Sequence, residues 1–199
     1  TLAPQSYTDS NSAPSAVSRA GAKGLMQLMP ATARAMGVPP GKEQNPEESV
    51  KAAVKYIAAT DRSLSMIPDK QERLSFILAS YNAGLGHIYD AMALAEKYGK
   101  NKLVWKDNVE NFILLKSNEE YFTDPICKNG YFRGIETYIF VRDILSRYES
   151  YKKKIKAYYL FLIGHHADSD NSQHRQRLRN QYRIYERKRI GGDQHIPAK

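Results

Sequence analysis

The chain has 199 residues, 42% of them hydrophobic, with 14 tyrosines and a formal net charge of +9. This composition indicates one globular domain, or one domain with an appendage, and excludes an intrinsically disordered chain. No run reaches the roughly 18 apolar residues that a membrane-spanning helix needs, and no signal peptide is visible. Residues 152–199 hold 12 Lys/Arg against 4 Asp/Glu, so a net +8 belongs to this tail and only +1 to residues 1–151.

Cysteine and histidine give no sign of a metal centre. Cys127 is the single cysteine, so it cannot form an internal disulfide or a zinc knuckle, and we predict a half-buried structural thiol. His165 and His166 lack companion ligands at metal-binding spacing. We therefore predict neither a metal ion nor a cofactor.

Helical patterns dominate the first 150 residues. Start and stop signals bound most of them, such as Asn45-Pro46 and Asp69 at starts and Gly37, Gly84 and Gly99 at ends. The predicted helices in chain order are PATARAM, NPEESVKAAVKYIAATDRSLSMI, DKQERLSFILASYNA, LGHIYDAMALAEKY, a helix from about Lys106, and the long amphipathic GIETYIFVRDILSRYESYKKKI.

Two other segments complete the prediction of a mainly α fold. Residues 121–134 are rich in turns, and the KNG sequence within them is compatible with a small two-stranded β-ribbon. Residues 172–190 are compatible with a basic helix, while the rest of the chain after about Ile163 is typical of a solvated tail.

Two motifs in a fixed order point to a family. They are AVSRAGAKGLMQLMPATARAMGV at residues 16–38 and ILASYNAGLGHI at residues 77–88. Together they resemble the catalytic domain of the soluble lytic murein transglycosylase type, glycoside hydrolase family 23, over roughly residues 7–151. The later segment GYFRGIETYIFVRDILSRYESY is similar to the C-terminal domain of the membrane-bound lytic murein transglycosylase F group.

The resemblance implies a fold and a division of the chain. Residues 1–155 would form a lysozyme-like (goose-type) α-helical domain, and residues 156–199 a basic C-terminal extension. The first helix is expected to be truncated or divergent, because only eight residues precede Asp9 and Pro4 is tolerated only in a first helical turn.

The resemblance also implies a reaction. Such a domain cleaves the β-1,4 bond between N-acetylmuramic acid and N-acetylglucosamine in peptidoglycan. One carboxyl group protonates the glycosidic oxygen and then accepts the proton of the C6 hydroxyl, which gives a 1,6-anhydro product without water. A single acid is therefore sufficient, unlike in the two-carboxylate glycosidases. Peptidoglycan strands would be the partner, and the periplasm or cell envelope the location.

Asp9 is the implied catalytic residue, because it stands fifteen residues before Gly24, where the family has glutamate, and Ser10 follows it as expected. A glycine permits close backbone approach to a sugar, and a methionine gives an adaptable wall. Glutamine, tyrosine and asparagine supply hydrogen bonds. The implied substrate-binding residues are Ser18, Gly24, Met26, Gln27, Tyr81, Asn82 and Tyr138. Each also has a structural interpretation, as a turn cap for Ser18 and as core packing for the tyrosines and the LMQLM run.

The aspartate departs from the family pattern and leaves two hypotheses open. Asp is one methylene shorter than Glu, which retracts the carboxyl by roughly 1.5 Å. A misplacement of about 1 Å can cost about 100-fold in rate. Ser12 also stands where the family has an aromatic residue. The chain is then either a slow transglycosylase that uses Asp9 or a catalytically impaired peptidoglycan-binding module, and Glu136 is a further carboxylate that could face the cleft.

The tail offers a third hypothesis. Its arginines are interleaved with Tyr182 and Tyr185 in a pattern compatible with phosphate contacts of a nucleic acid. We favour a solvated helix or a cationic tail attracted to the anionic wall, and predict no nucleic-acid partner.

Overall fold

The computed structural model describes residues 13–165 together with residues 173, 176–177 and 179–184. The chain forms two compact units, Thr1–Leu145 and Ser146–Lys199. Nearly all regular structure in the described part is helical, which confirms the predicted mainly α fold class. The domain division predicted between residues 155 and 156 stays a prediction.

Seven α-helices are present in the described part of the chain between residues 13 and 165. They are α1 (Pro30–Ala35), α2 (Pro46–Ser63), α3 (Lys70–Ala83), α4 (Leu85–Lys97), α5 (Glu110–Leu115), α6 (Glu119–Phe122) and α7 (Ile135–His165). Within residues 172–190, the described residues are also helical, as predicted. No helix in the described part of the chain is long and apolar enough to cross a membrane.

Hydrogen bonds at the helix ends set the helix boundaries that the sequence predicted best. The Asn45 side chain accepts a hydrogen bond from the Glu48 amide at 3.0 Å, and Pro46 begins α2. Asp69 accepts from the Glu72 amide at 2.8 Å in the same way. Gly84, with a φ of +85°, ends α3 and allows α4 to begin at once in a new direction.

The predicted start of α5 near Lys106 is wrong by four residues. Residues Trp105–Val109 form an irregular turn in which Lys106 is extended and Asp107 has a φ of +58°. Here the Asp107 amide donates to Glu110 Oε1 at 2.7 Å, and the Trp105 amide donates to Glu72 Oε2 at 2.7 Å. The carboxylates of Glu72 and Glu110 thus accept hydrogen bonds from backbone amides in this turn, so these amides need no helical partners.

The core of the first unit lies between α3, α4 and α5. Phe76, Ile88, Leu94 and Ile113 are fully buried there, and Trp105 meets Phe76 edge-to-face at 5.4 Å. A smaller apolar cluster joins the glycine-rich segment and α1 to α2 through Leu28, Ala33, Val38, Ala52 and Ala53. The two clusters hold α3 between them, with Tyr81 packed on the smaller one.

The ribbon predicted within residues 121–134 does not form, although this whole segment is described. It folds into α6 and successive turns, because carboxylates take up its amides. Asp124 Oδ1 accepts from the Ile126 amide at 3.1 Å, and Asp90 accepts from Lys128 and Asn129. Among the described residues, β pairing occurs as isolated antiparallel bridges of Lys23 with Val17 and with Leu28.

Candidate active site

A cleft of about 390 Å³ opens on the first unit. Four regions line it, namely the glycine-rich segment with α1, Tyr56 of α2, the C-terminal end of α3, and α7 with the chain that leads into it. It brings together five of the predicted substrate-binding residues: Ser18, Met26, Gln27, Tyr81 and Asn82. The structure therefore joins the two sequence motifs in one site.

Side-chain hydrogen bonds shape the glycine-rich wall. Ser18 Oγ accepts from the Ala22 amide at 2.9 Å and so closes a tight loop. The side-chain nitrogen Nε2 of Gln27 donates to the carbonyl oxygens of Ala16 at 3.2 Å and Gly24 at 2.9 Å. Gln27 has a φ of +49°, a region that is costly for a residue with a side chain. Its side-chain hydrogen bonds offset that cost and hold the backbone in this shape.

Gly24 occupies a different position from the one predicted. It is buried, does not line the cleft, and has a φ of +75°. A β-carbon here would clash with the backbone oxygen of Glu43 and lie 3.2 Å from Ser49 Oγ. The close approach is thus to the protein's own backbone, and Ser49 Oγ also accepts from the Met26 amide at 3.1 Å.

Two tyrosines hold the C-terminal end of α3 in place. The Tyr81 hydroxyl donates to the Met26 carbonyl oxygen at 2.7 Å, which links the two motifs directly. Tyr56 meets Tyr81 edge-to-face at 5.8 Å and donates to the Ser80 carbonyl oxygen at 3.0 Å. Burial raises the pKa of the Tyr56 phenol, so this hydroxyl stays protonated as a donor.

The third wall comes from α7 and the chain before it. Asn82 Oδ1 accepts from Thr137 Oγ1 at 2.7 Å, which ties the end of α3 to the first turn of α7. Glu136 and Phe140 line the cleft, whereas Tyr138 does not. Residues four apart share a helix face, but a residue two positions away points to the other side. Helical periodicity is therefore the sequence signal that could have predicted Phe140, rather than Tyr138, as a lining residue of the cleft.

Glu136 lines the cleft, as the sequence suggested. Its side chain is 20% exposed, and Oε1 lies 3.7 Å from Arg133 Nη1. Asp9, the predicted acid, lies outside the described residues. Sequence reasoning missed several other lining residues, among them Arg19, Thr32, Tyr56 and Phe132.

Comparison with known proteins shows which family the chain resembles. The model of the transglycosylase SLT domain matches residues 6–104, a span that contains Asp9 and both motifs. Three similar proteins are membrane-bound lytic murein transglycosylases F. That of Desulfosudis oleivorans is 38% identical over 148 residues, 74% of this chain and 32% of that protein. That of Maricaulis maris is 38% identical over 72% of this chain and 30% of that protein. That of Aliivibrio fischeri is 31% identical over 89% of this chain and 32% of that protein.

The chain spans about a third of the length of these relatives. The family model covers the glycine-rich segment, the α3 motif and the helices between them, which build most of the cleft, whereas Phe132, Glu136 and Phe140 lie beyond the matched residues. The chain belongs to the lytic transglycosylase family whose members carry the transglycosylase SLT domain.

Proposed function

We propose that this protein is a peptidoglycan lytic transglycosylase of the periplasm or cell envelope. It cleaves the β-1,4 bond between N-acetylmuramic acid and N-acetylglucosamine and leaves a 1,6-anhydro end on the muramic acid. The observation that carries the proposal is the cleft, in which Gln27, Tyr81 and Asn82 from two separate motifs of the family meet.

The lining of the cleft suits a polysaccharide. Met26, Phe132 and Phe140 supply apolar surface, and the side chains of Ser18, Gln27 and Asn82 supply polar groups beside it. A sugar ring presents both kinds of surface, so mixed apolar and polar walls match it. The same apolar surface disfavours a charged carboxylate, and a general acid needs this effect to stay protonated near neutral pH.

In this mechanism the carboxyl group of Asp9 acts twice. It first gives its proton to the glycosidic oxygen, and the bond from that oxygen to the muramic acid C1 breaks. As a carboxylate it then removes the proton of the C6 hydroxyl, whose oxygen bonds to C1. The proton count balances, and no water enters the product.

The test is digestion of purified murein with mass spectrometry of the soluble products. We expect the full chain to release 1,6-anhydromuropeptides and Asp9→Asn to release none. Asp9→Glu restores the longer side chain and is expected to raise the rate by up to about 100-fold. Equal activity of Asp9→Asn and the unchanged protein would refute Asp9 as the acid.

The aspartate itself favours a second candidate, a catalytically impaired module that binds peptidoglycan. This candidate predicts that the unchanged chain binds murein fragments without cleaving them, and that Asp9→Glu alone gives product. Gln27→Ala and Tyr81→Ala should weaken the binding, because one shapes the glycine-rich wall and the other joins it to α3. Anhydro product from the unchanged chain, lost in Asp9→Asn, would exclude this candidate.

A further inference from the structure

A buried group of charges lies beside the cleft, under the chain that leads into α7. The side chains of Lys116 and Asp90 are 0% and 4% exposed and form a hydrogen-bonded ion pair. Lys116 Nζ also donates to His87 Nδ1 at 3.1 Å, since an ammonium group has only donors. Burying two charges carries a large desolvation cost, which is offset only where further hydrogen bonds satisfy them.

Asp90 makes those further bonds to one short stretch of chain. Its Oδ1 accepts from the Lys128 amide and from Asn129 Nδ2, each at 3.0 Å. Its Oδ2 accepts from the Asn129 amide at 2.9 Å. A β-carbon at Gly86 would lie 2.5 Å from Asn129 Oδ1, so the stretch is pressed closely onto α4. The carboxylate therefore fixes the backbone at residues 128 and 129.

Phe132 follows three residues later and is fixed by the same group. Its amide donates to the Lys116 carbonyl oxygen at 3.3 Å. Its ring stacks on the His87 ring, with centroids 4.4 Å apart and planes 27° apart. Phe132 lines the cleft, whereas Asp90, Lys116 and His87 do not. The His87 ring thus contacts the Phe132 ring, and the backbone of Lys116 holds the Phe132 amide. Asp90 holds both the Lys116 side chain and the preceding turn.

We propose that Phe132 is a glycan-contacting residue of the cleft and that Asp90, Lys116 and His87 are positioning residues that hold its ring there. The inference rests on the proposed function, because it takes the ligand to be a peptidoglycan strand. His87 covers one face of the ring and removes its freedom to turn away. The remaining apolar surface of Phe132 packs against the C–H groups of a sugar ring.

The experiment uses the full chain with Asp9→Asn as reference, so that the probe is bound but not cleaved. The probe is a peptide-free tetrasaccharide of alternating N-acetylglucosamine and N-acetylmuramic acid, and its binding is measured by calorimetry. We expect Phe132→Ala to weaken binding about tenfold and Phe132→Tyr to keep it. We expect His87→Ala to weaken binding severalfold and His87→Phe, which keeps a flat ring behind Phe132, to restore it.

The buried pair is tested with a matched control on the same helix. Asp90→Asn removes the charge that holds the turn, and Glu96→Gln removes an exposed charge that is paired with Lys102 at 2.7 Å. Asp90→Asn should weaken binding severalfold, and Glu96→Gln should not. Thermal unfolding of each variant shows whether it is folded. If Asp90→Asn does not fold, the comparison of His87→Ala with His87→Phe tests whether the residues behind Phe132 position its ring.

Kinetics on murein with Asp9 intact separates positioning from general damage. The Phe132 and His87 variants should raise KM while the rate at saturating murein stays within about twofold. Unchanged probe binding by Phe132→Ala, or failure of His87→Phe to restore it, would overturn the inference alone. A reference protein that binds neither the probe nor murein would overturn the proposed function and the inference together.

Discussion

Gly24 shows how a single residue of a family motif can have a structural rather than a ligand-binding task. Its position in the GLMQ sequence suggested close approach to a sugar. In the structure its φ of +75° disfavours a β-carbon, and the adjacent Glu43 backbone oxygen would clash with one. The glycine lets the glycine-rich segment pack on the chain before α2, and so places Met26 and Gln27 at the cleft.

Gly24→Ala should destabilise the protein more than Gly41→Ala. Both glycines have nearly the same φ, +75° and +77°, but a β-carbon at Gly41 meets nothing within 4 Å. We expect backbone strain alone to cost about 1 kcal/mol at Gly41, and the clash at Gly24 to add about 1–3 kcal/mol. Urea denaturation of both variants measures the difference. Equal losses would show that the contact with Glu43 is relieved at no cost.

Helix α4 contributes residues both to the apolar core and to the buried group of charges. Ile88, Ala91 and Leu94 pack in the core, while His87 and Asp90 meet Lys116 and the chain that leads to Phe132. Burial lowers the pKa of His87 below its ordinary value of 6.5, Lys116 lowers it further, and Asp90 opposes them. Burial raises the pKa of Asp90, but hydrogen bonds from Lys116, Lys128 and Asn129 outweigh that effect and hold it below 3.8.

Stability should therefore fall as the pH drops below about 6.5, and His87 should be a cause. Below that pH His87 binds a proton in the unfolded chain more readily than in the folded chain. The free energy of unfolding therefore decreases as the pH falls from 6.5 towards the lowered pKa of the folded state. Asp90 contributes only at more acidic pH, below 3.8. Urea denaturation at several pH values should show a shallower decline between pH 6.5 and 4 for His87→Gln. An identical decline in both proteins would contradict the assignment to His87.

The charge of the whole molecule is unevenly distributed, and this affects how it meets an anionic polymer. Residues 152–199 carry a net +8 and the rest of the chain only +1. On α7, Lys153, Lys154 and Lys156 are exposed. Murein with its peptide carboxylates is anionic, so this part of the chain should attract it over a distance of about one Debye length.

Neutralising these three lysines to Gln should lower retention on murein severalfold at low salt. The difference should disappear near 1 M salt, where the Debye length is about 3 Å. The control replaces Lys42, Lys100 and Lys106, three exposed lysines of the first unit, and changes the net charge equally. Sedimentation with murein sacculi over a salt series measures retention. Equal losses in both triple variants would mean that net charge, not its location, decides retention.

Interactions between residues close in sequence allowed part of the fold to be predicted from the sequence. The Asn45 and Asp69 caps and the Gly84 junction each depend on residues within one helical turn, and all three were predicted. The order of the two motifs was sufficient to identify the family. It also identified Ser18, Met26, Gln27, Tyr81 and Asn82, which the structure brings to one cleft; their roles in binding stay predictions.

Long-range contacts decided the remainder. Lys116 is buried against Asp90, 26 positions earlier in the chain, and no local pattern marks a lysine for burial. The amides of residues 128 and 129 bind a carboxylate 38 and 39 positions away, so turns replace the predicted ribbon. The sequence by itself determined most of the helices, the Asn45 and Asp69 caps and the family, because these depend on neighbouring residues. Only the tertiary structure decided that Phe132 and Phe140, and not Tyr138, line the cleft, because that depends on which face of the chain the core leaves open.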